Sequence, residues 1–289
     1  STIYLPPYAT IRGAGPEKTI INSSAFPAFQ TANETSTPGV YADDSTSTTL
    51  NQATNITISD LTITTQSATA LSLVSCKDST FENLVLRGTF VLGAAPTPAT
   101  AINMTSLSTA VSSNSNTFTN VKAEKFDTGV RSDNDIKDNR WTGCTFDTLR
   151  QGFAFGVDTV LGTGGMLTGP VNNNVFESKF DNIYTSAIIV TNGSYNASKN
   201  NKYYNVGNHA GTSASATVAV IDFGSLNNTS EGDWFERSAD LGYDETFKNG
   251  VVYHPEVKGP TITDFGTTHK LTIGQSGEYT KLFRLPAET

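Results

Sequence analysis

The stretch Asn139-Arg-Trp-Thr-Gly-Cys-Thr-Phe-Asp-Thr-Leu-Arg-Gln-Gly-Phe-Ala-Phe155 reads as one turn of a coil. Trp141, Cys144, Phe146 and Leu149 stand at relative positions 0, +3, +5 and +8, and a second apolar run opens at Phe153. The spacing returns as Ile56, Ser59, Leu61 and Thr64, as Phe81, Leu84, Leu86 and Thr89, as Phe118, Val121, Ala123 and Phe126, and as Val175, Ser178, Phe180 and Ile183. The starts at 56, 81, 118, 141 and 175 lie 25, 37, 23 and 34 residues apart. A basic coil of about two dozen residues with inserted loops gives such a series, and self-similarity at that period marks a solenoid.

The period inside each copy decides the kind of solenoid. Runs such as Asn-Ile-Thr-Ile-Ser-Asp-Leu-Thr-Ile at 55 to 63 alternate every second residue and are rich in β-branched side chains, the pattern of strands rather than helices. A second strand follows in each coil, at Ala70 to Val74, Ala101 to Met104, Gly129 to Ser132, Gly152 to Phe155, Ala187 to Val190, Val218 to Ile221 and Val251 to Tyr253. Stacked in parallel, successive coils pair at about 4.8 Å, with apolar columns inside and polar ones outside. One column is expected to hold Phe81, Phe118, Trp141 and Val175, and another Leu61, Leu86, Ala123, Phe146 and Phe180. Cys144 falls in a column with Leu84 and Val121 and reads as a buried apolar residue, with no disulfide to Cys76 expected.

The 289 residues carry a formal charge of −8 and only 16% charged side chains. An acidic chain without a Lys/Arg stripe is a poor match for nucleic acid. No apolar run approaches the ~20 residues of a spanning helix, so membrane insertion is not expected, and Ser1 to Tyr8 lacks signal-peptide organisation. His209, His254 and His269 are isolated in sequence, so no metal site and no cofactor are expected. Gly13 and Gly15 read as turn glycines rather than a phosphate loop.

The opening, Ser-Thr-Ile-Tyr-Leu-Pro-Pro-Tyr-Ala-Thr-Ile-Arg-Gly-Ala-Gly-Pro-Glu-Lys-Thr-Ile-Ile-Asn over residues 1 to 22, leads into coils with Asn-rich corners. In this the chain resembles the pectate-lyase-like right-handed parallel β-helix superfamily, and within it the β-helical tailspikes and appendages of bacteriophages. The resemblance covers residues 1 to 255 and implies an all-β, single right-handed parallel β-helix. Residues 256 to 289 alternate like antiparallel strands and form either a C-terminal cap or the start of a further β-domain. Residues 23 to 54, 93 to 100 and 156 to 170 read as loop insertions, the kind of segment that lines binding surfaces on a rigid solenoid.

Aligning the coils on Phe118, Trp141 and Val175 stacks Asp127, Arg150 and Tyr184 at +9, a mixture of donors, acceptors and an aromatic ring suited to sugar, with a surface salt bridge between Asp127 and Arg150 as the alternative. At +17 it stacks Asp135, Asp158 and Asn192, with Arg131 and Asp133 nearby. Asp135 and Asp158 read in three ways: as a carboxylate pair at about the 5 Å separation of retaining glycosidases, as calcium ligands together with Asn192, or as corner residues that tolerate turn geometry. The motif set of the pectin hydrolases, Asn-Thr-Asp, Asp-Asp, Gly-His-Gly and Arg-Ile-Lys, does not occur together in the chain, and Arg131 or Arg150 with Asp127, Asp133 and Asp135 matches a pectate lyase only loosely.

Three functions remain open. The first is a virion or extracellular structural component that binds host polysaccharide or lipopolysaccharide alongside other virion proteins. The second is a polysaccharide depolymerase, hydrolase or lyase, of tailspike type, and the third a secreted microbial adhesin. The tailspike resemblance further implies a homotrimer, with outward Ile188 and Ala154 or the C-terminal tail as its interface.

Overall fold

The computed structural model describes residues 2–24, 27–31, 33–34, 41–42, 52–66, 68–95, 99–106, 112–132, 136–156, 169–190, 193–206, 221–223, 228–236, 251–253, 264–265 and 272–273. Each regular coil supplies three strands, as in Arg140–Thr142, Thr145–Leu149 and Gln151–Phe155, followed by Asn174–Phe176, Lys179–Ile183 and Ile188–Val190 one turn later. Equivalent strands of successive coils pair in parallel with single-residue register: Phe118 with Trp141, Trp141 with Val175, Phe146 with Phe180, Phe153 with Ile188. The chain is a parallel β-helix. One sheet of ten strands forms the first wall, and a sheet of fifteen forms two further walls that meet at a bend.

The bend has a local cause. Thr57–Thr65 and Thr80–Arg87 run through it as long strands, with Asp60 and Asn83 in the left-handed backbone region. In later coils the same place is taken by Asn120, Gly143, Glu177, Asn200 and Gly232, all at positive φ. Asn, Asp and Gly visit that region at least cost. Gly143 is constrained twice, since a Cβ there would also lie 2.9 Å from the Asn120 Oδ1 of the coil below.

Inside, aromatic rings stack rung on rung. Phe81, Phe118 and Trp141 lie 4.8 and 5.1 Å apart with nearly parallel rings, and Phe146, Phe180 and Tyr203 lie 5.1 and 4.9 Å apart. Phe153 of the facing wall meets both stacks, 5.1 Å from Trp141 edge-on and 4.7 Å from Phe146. Such pairs add about 0.5–1.5 kcal/mol each beyond the area they bury. Cys144 is buried beneath Ser178, whose Oγ accepts its N–H at 3.1 Å, and burial pushes the thiol pKa up to about 11. Cys76 is likewise buried, and the two cysteines form no disulfide.

The corner leading into the second wall is held from within by side-chain amides. Ser79, Asn116, Asn139, Asn173, Asn196 and Asn228 occupy one buried column, with separations of 37, 23, 34, 23 and 32 residues. From Asn139 onward each Asn Oδ1 accepts from the preceding Asn Nδ2 at 2.9–3.0 Å and from that residue's backbone N–H, while Asn116 Oδ1 accepts the Ser79 N–H. The second Nδ2 hydrogen goes to a backbone carbonyl, Ser113 O for Asn139 and Pro170 O for Asn196. Both lone pairs and both donors of Asn139 are thereby used, which makes full burial tolerable.

Several expectations shift. The first copy is displaced by two residues: Ile58, not Ile56, pairs with Phe81, and Leu61 pairs with Leu84 while Ile63 joins the Leu86 column. Ile56 stands instead at the foot of the amide column, its N–H donating to Ser79 Oγ at 3.0 Å. Strand alternation hides such a slip, because two residues on brings the same face inward. Ile188 is an inward residue, 2% exposed beside Phe153, and the outward partner of Ala154 is Ile189. The run Ala187-Ile188-Ile189-Val190 is apolar at every position and so carries no phase. Ala154 does face outward but is only 2% exposed, so neither residue offers a free trimer surface. The strand expected at Val218 to Ile221 is described as Ile221–Phe223. Beyond residue 255, Asp264–Phe265 and Thr272–Ile273 pair in parallel with Trp234–Glu236 and Val251–Tyr253, where antiparallel strands were expected.

Candidate functional site

Asp127, Arg150 and Tyr184 follow the inward residues Phe126, Leu149 and Ile183 and occupy one outward column at the end of the third wall, as the +9 alignment requires. Within the column Asp127 and Arg150 are paired with one another. Arg150 Nε and Nη2 donate to the two Asp127 carboxylate oxygens at 2.7 and 2.5 Å, a planar fork. Asp127 is 4% exposed, whereas the Arg150 side chain is 24% exposed. The carboxylate is thus committed to holding the guanidinium. Thr185 Oγ1 donates to the Arg150 carbonyl at 2.7 Å and fixes the next turn, and Tyr184 is half-buried beside it.

Arg131 lies in the outward column of the first wall between Asn103 and Ala154, half-buried. Asp135 and Asp158, together with Asp133 and Asn192, fall outside the described residues.

A groove lies on the outer face of the third wall. Parallel register brings Lys179, Lys202 and Trp234 into one outward column and Asp181 and Tyr204 into the next. The groove has a volume of about 590 Å³ and is lined by Lys179, Lys202, Tyr203, Tyr204 and Trp234. Trp234 is 45% exposed, although large aromatic side chains normally bury most of their area. Lys179 Nζ donates to Asp181 Oδ2 at 2.7 Å, and that hydrogen bond raises the lysine pKa. Among the described residues Lys202 has no ion-pair partner.

Lower on the same wall Glu124 lies between Arg87 and Lys122. Burial works against its charge, but hydrogen bonds from Lys122 and Arg87 outweigh that and hold its pKa below the usual carboxylate value. The opposite case lies inside the coil. Asp233 Oδ2 accepts from Ser198 Oγ at 2.5 Å and Ser230 Oγ at 2.6 Å, and Oδ1 accepts the Asn201 N–H at 2.8 Å. Burial nonetheless pushes Asp233 up to about 6. Ser198 Oγ also lies 2.5 Å from the Tyr203 hydroxyl, which ties this buried group to the floor of the groove.

The groove was not singled out from sequence, although its signal is present. Lys179, Lys202 and Trp234 are the +4 residues of coils starting at Val175, Ser198 and Ser230, and Tyr204 is a +6 residue. The last two starts are serines, so no aromatic or branched residue marks them.

No protein-family profile matches the chain, and no curated relative reaches significant similarity. Among solved structures, ORF18 of Geobacillus virus E2 is similar at a TM-score of 0.48 and 13% identity, over 82% of this chain and 48% of that one. The chain therefore spans about half the length of the phage protein. The Streptococcus pneumoniae surface adhesin PfbA is similar at 0.38 and 13% identity, over 94% of this chain and 78% of its own. The A-module of the Azotobacter vinelandii mannuronan C-5 epimerase AlgE6 gives 0.39 and 13%, over 94% and 89%. At these values the likenesses assign no role to any residue.

Proposed function

We propose that this chain is a rigid β-helical component of a virion or cell surface that holds saccharide on its outer third wall without cleaving it. The observation that carries the reading is the groove where Trp234 and Tyr204 lie beside Lys179 and Lys202 on a wall of regular, register-locked strands. Saccharide recognition needs an aromatic face for the apolar side of a sugar ring and a few fixed polar groups for its hydroxyls, presented on a preformed surface. The Asp127–Arg150 fork belongs to the same reading as a brace, with Arg150 and Tyr184 offering the outlying contacts.

The reading favours binding over hydrolysis because of where the carboxylates stand. An acid catalyst needs a carboxyl held protonated near neutral pH in reach of substrate. On this wall Glu124 is held ionised by its cations, while Asp233, pushed up to about 6, points into the coil. Assembly as a homotrimer with other virion proteins, in the manner of a tailspike, is the corresponding proposal for the particle.

The test is a panel of surface polysaccharides and oligosaccharides titrated against the protein, with reducing ends and unsaturated-product absorbance followed in parallel. Binding that Trp234→Ala removes, without new ends or unsaturation, is the expected result. Cleavage abolished by Asp135→Asn or Asp158→Asn would replace this reading with depolymerase activity. Light scattering on the purified protein reads the trimer directly.

A further inference from the structure

The charge arrangement of the groove carries the argument one step further, on the premise that the wall binds saccharide at all. Two ammonium groups, Lys179 and Lys202, face the groove in one column. Only Lys179 is neutralised, through Asp181. Successive rungs lie about 4.8 Å apart, close to the width of one pyranose ring. A ring stacked on Trp234 therefore places its substituents over the Lys202 rung, and those of the neighbouring sugar over the Lys179 rung. An unpaired ammonium in that position is matched by a carboxylate more strongly than by a hydroxyl.

The rest of the chain narrows the choice of anion. Its formal charge is −8, so the groove is a small cationic spot in a repelling field. Such a spot suits a saccharide with isolated carboxylates and disfavours a densely sulfated polyanion. We propose that the Lys179–Lys202–Tyr204–Trp234 groove is a subsite for a carboxylated sugar, a uronic-acid-type residue within an oligosaccharide, with the ring on Trp234 and the carboxylate on Lys202.

The chain supplies its own probe. Of its two tryptophans, Trp141 is fully buried on Phe118, so the response of an exposed indole to ligand reports Trp234. Fluorescence is titrated with uronate oligosaccharides, with neutral oligosaccharides of the same length, and with densely sulfated ones. The expected result is uronate binding at least tenfold tighter than neutral, weakened about tenfold by Lys202→Gln and weakened again when salt is raised from 50 to 500 mM. Lys202 is an exposed strand residue, so Lys202→Gln leaves the fold intact, and a melting curve confirms it.

Neutral and uronate ligands binding equally, sulfated ligands binding tightest, or Lys202→Gln binding as the parent does would each overturn the carboxylate assignment while leaving a saccharide wall in place. A complete lack of response to all three ligand classes would overturn this inference and the saccharide reading beneath it.

Discussion

Asp233→Asn is the most informative single substitution, because it separates burial from charge at a defined place in the coil. The Asp233 carboxyl is pushed from an ordinary 3.8 up to about 6, chiefly by burial and against hydrogen bonds from Ser198, Ser230 and Asn201. A group whose pKa is raised on folding holds its proton better in the native state. Its contribution to stability is fully present below about 4 and is lost as pH rises through about 6. Two pH units correspond to about 3 kcal/mol, which the native protein forgoes at neutral pH. An amide at the same place carries no charge to desolvate. Its oxygen still accepts the Asn201 N–H, and the Ser198 and Ser230 hydroxyls turn to accept from its nitrogen. The variant is therefore expected to match the parent at pH 4 and to exceed it by about 3 kcal/mol at pH 7. Carboxylates such as Glu124, whose pKa is lowered, lose stability in the acid direction and cancel in the comparison. Urea titrations of both proteins from pH 4 to 8 read the difference, and exchange of the Asn201 amide reads it locally. A parent-minus-variant difference that stays flat across that range would refute the reasoning.

Asn139→Ala should cost about 2–4 kcal/mol, since it strips the Asn116 side-chain and backbone donors of their acceptor and leaves the Ser113 carbonyl short of a bond; a melting temperature equal to the parent's would argue against the amide column as a structural device. Phe146→Asp should abolish folding of the central coils, because truncating a buried Phe alone costs roughly 3–5 kcal/mol and the charge would lie unpaired between Phe180 and Phe153; soluble protein with unchanged near-ultraviolet dichroism would contradict the interior placement. Arg150→Ala should lower stability by about 1–3 kcal/mol by leaving Asp127 buried without its fork, while leaving saccharide binding at Trp234 within about twofold. A large loss of binding at constant stability would instead make Arg150 a central contact rather than an outlying one.

The coil was legible where an aromatic side chain fixes its phase. Phe118, Trp141 and Val175 pair as the alignment on them requires, and with them Phe146 with Phe180 and Asp127 with Arg150. Where the marker is weak the phase drifts. Ile56 and Ile58 are both apolar and on one face, so spacing alone could not choose between them, and the bonded register settles on Ile58. The coils starting at Ser198 and Ser230 escaped because their first inward residue is polar, and the groove on their outer face escaped with them. Their interior explains the serines. The column that holds Leu84, Val121 and Cys144 lower down becomes Ser178, Asn201 and Asp233, and the small hydroxyls of Ser198 and Ser230 complete that hydrogen-bonded group. Periodicity scored on hydrophobicity alone passes over a column that changes from apolar to polar along the rod.

The amide column from Ser79 to Asn228 accommodates the irregular repeat length. Along the corner between the first and second walls, neighbouring coils share only isolated bridges, Lys77 with Asn114, Asn114 with Lys137 and Lys137 with Val171. Strand pairing there is too short to fix register by itself. The amide column beside it supplies the missing specification, because an Asn one residue out of step would bury four unsatisfied groups. Separations of 37, 34 and 32 residues can then alternate with 23 without disturbing the rungs. The described walls stay in step across repeats of either length. A groove formed on such a wall, as at Lys179, Lys202 and Trp234, takes its geometry from the rung spacing rather than from the connections, which is the condition for a preorganised binding surface.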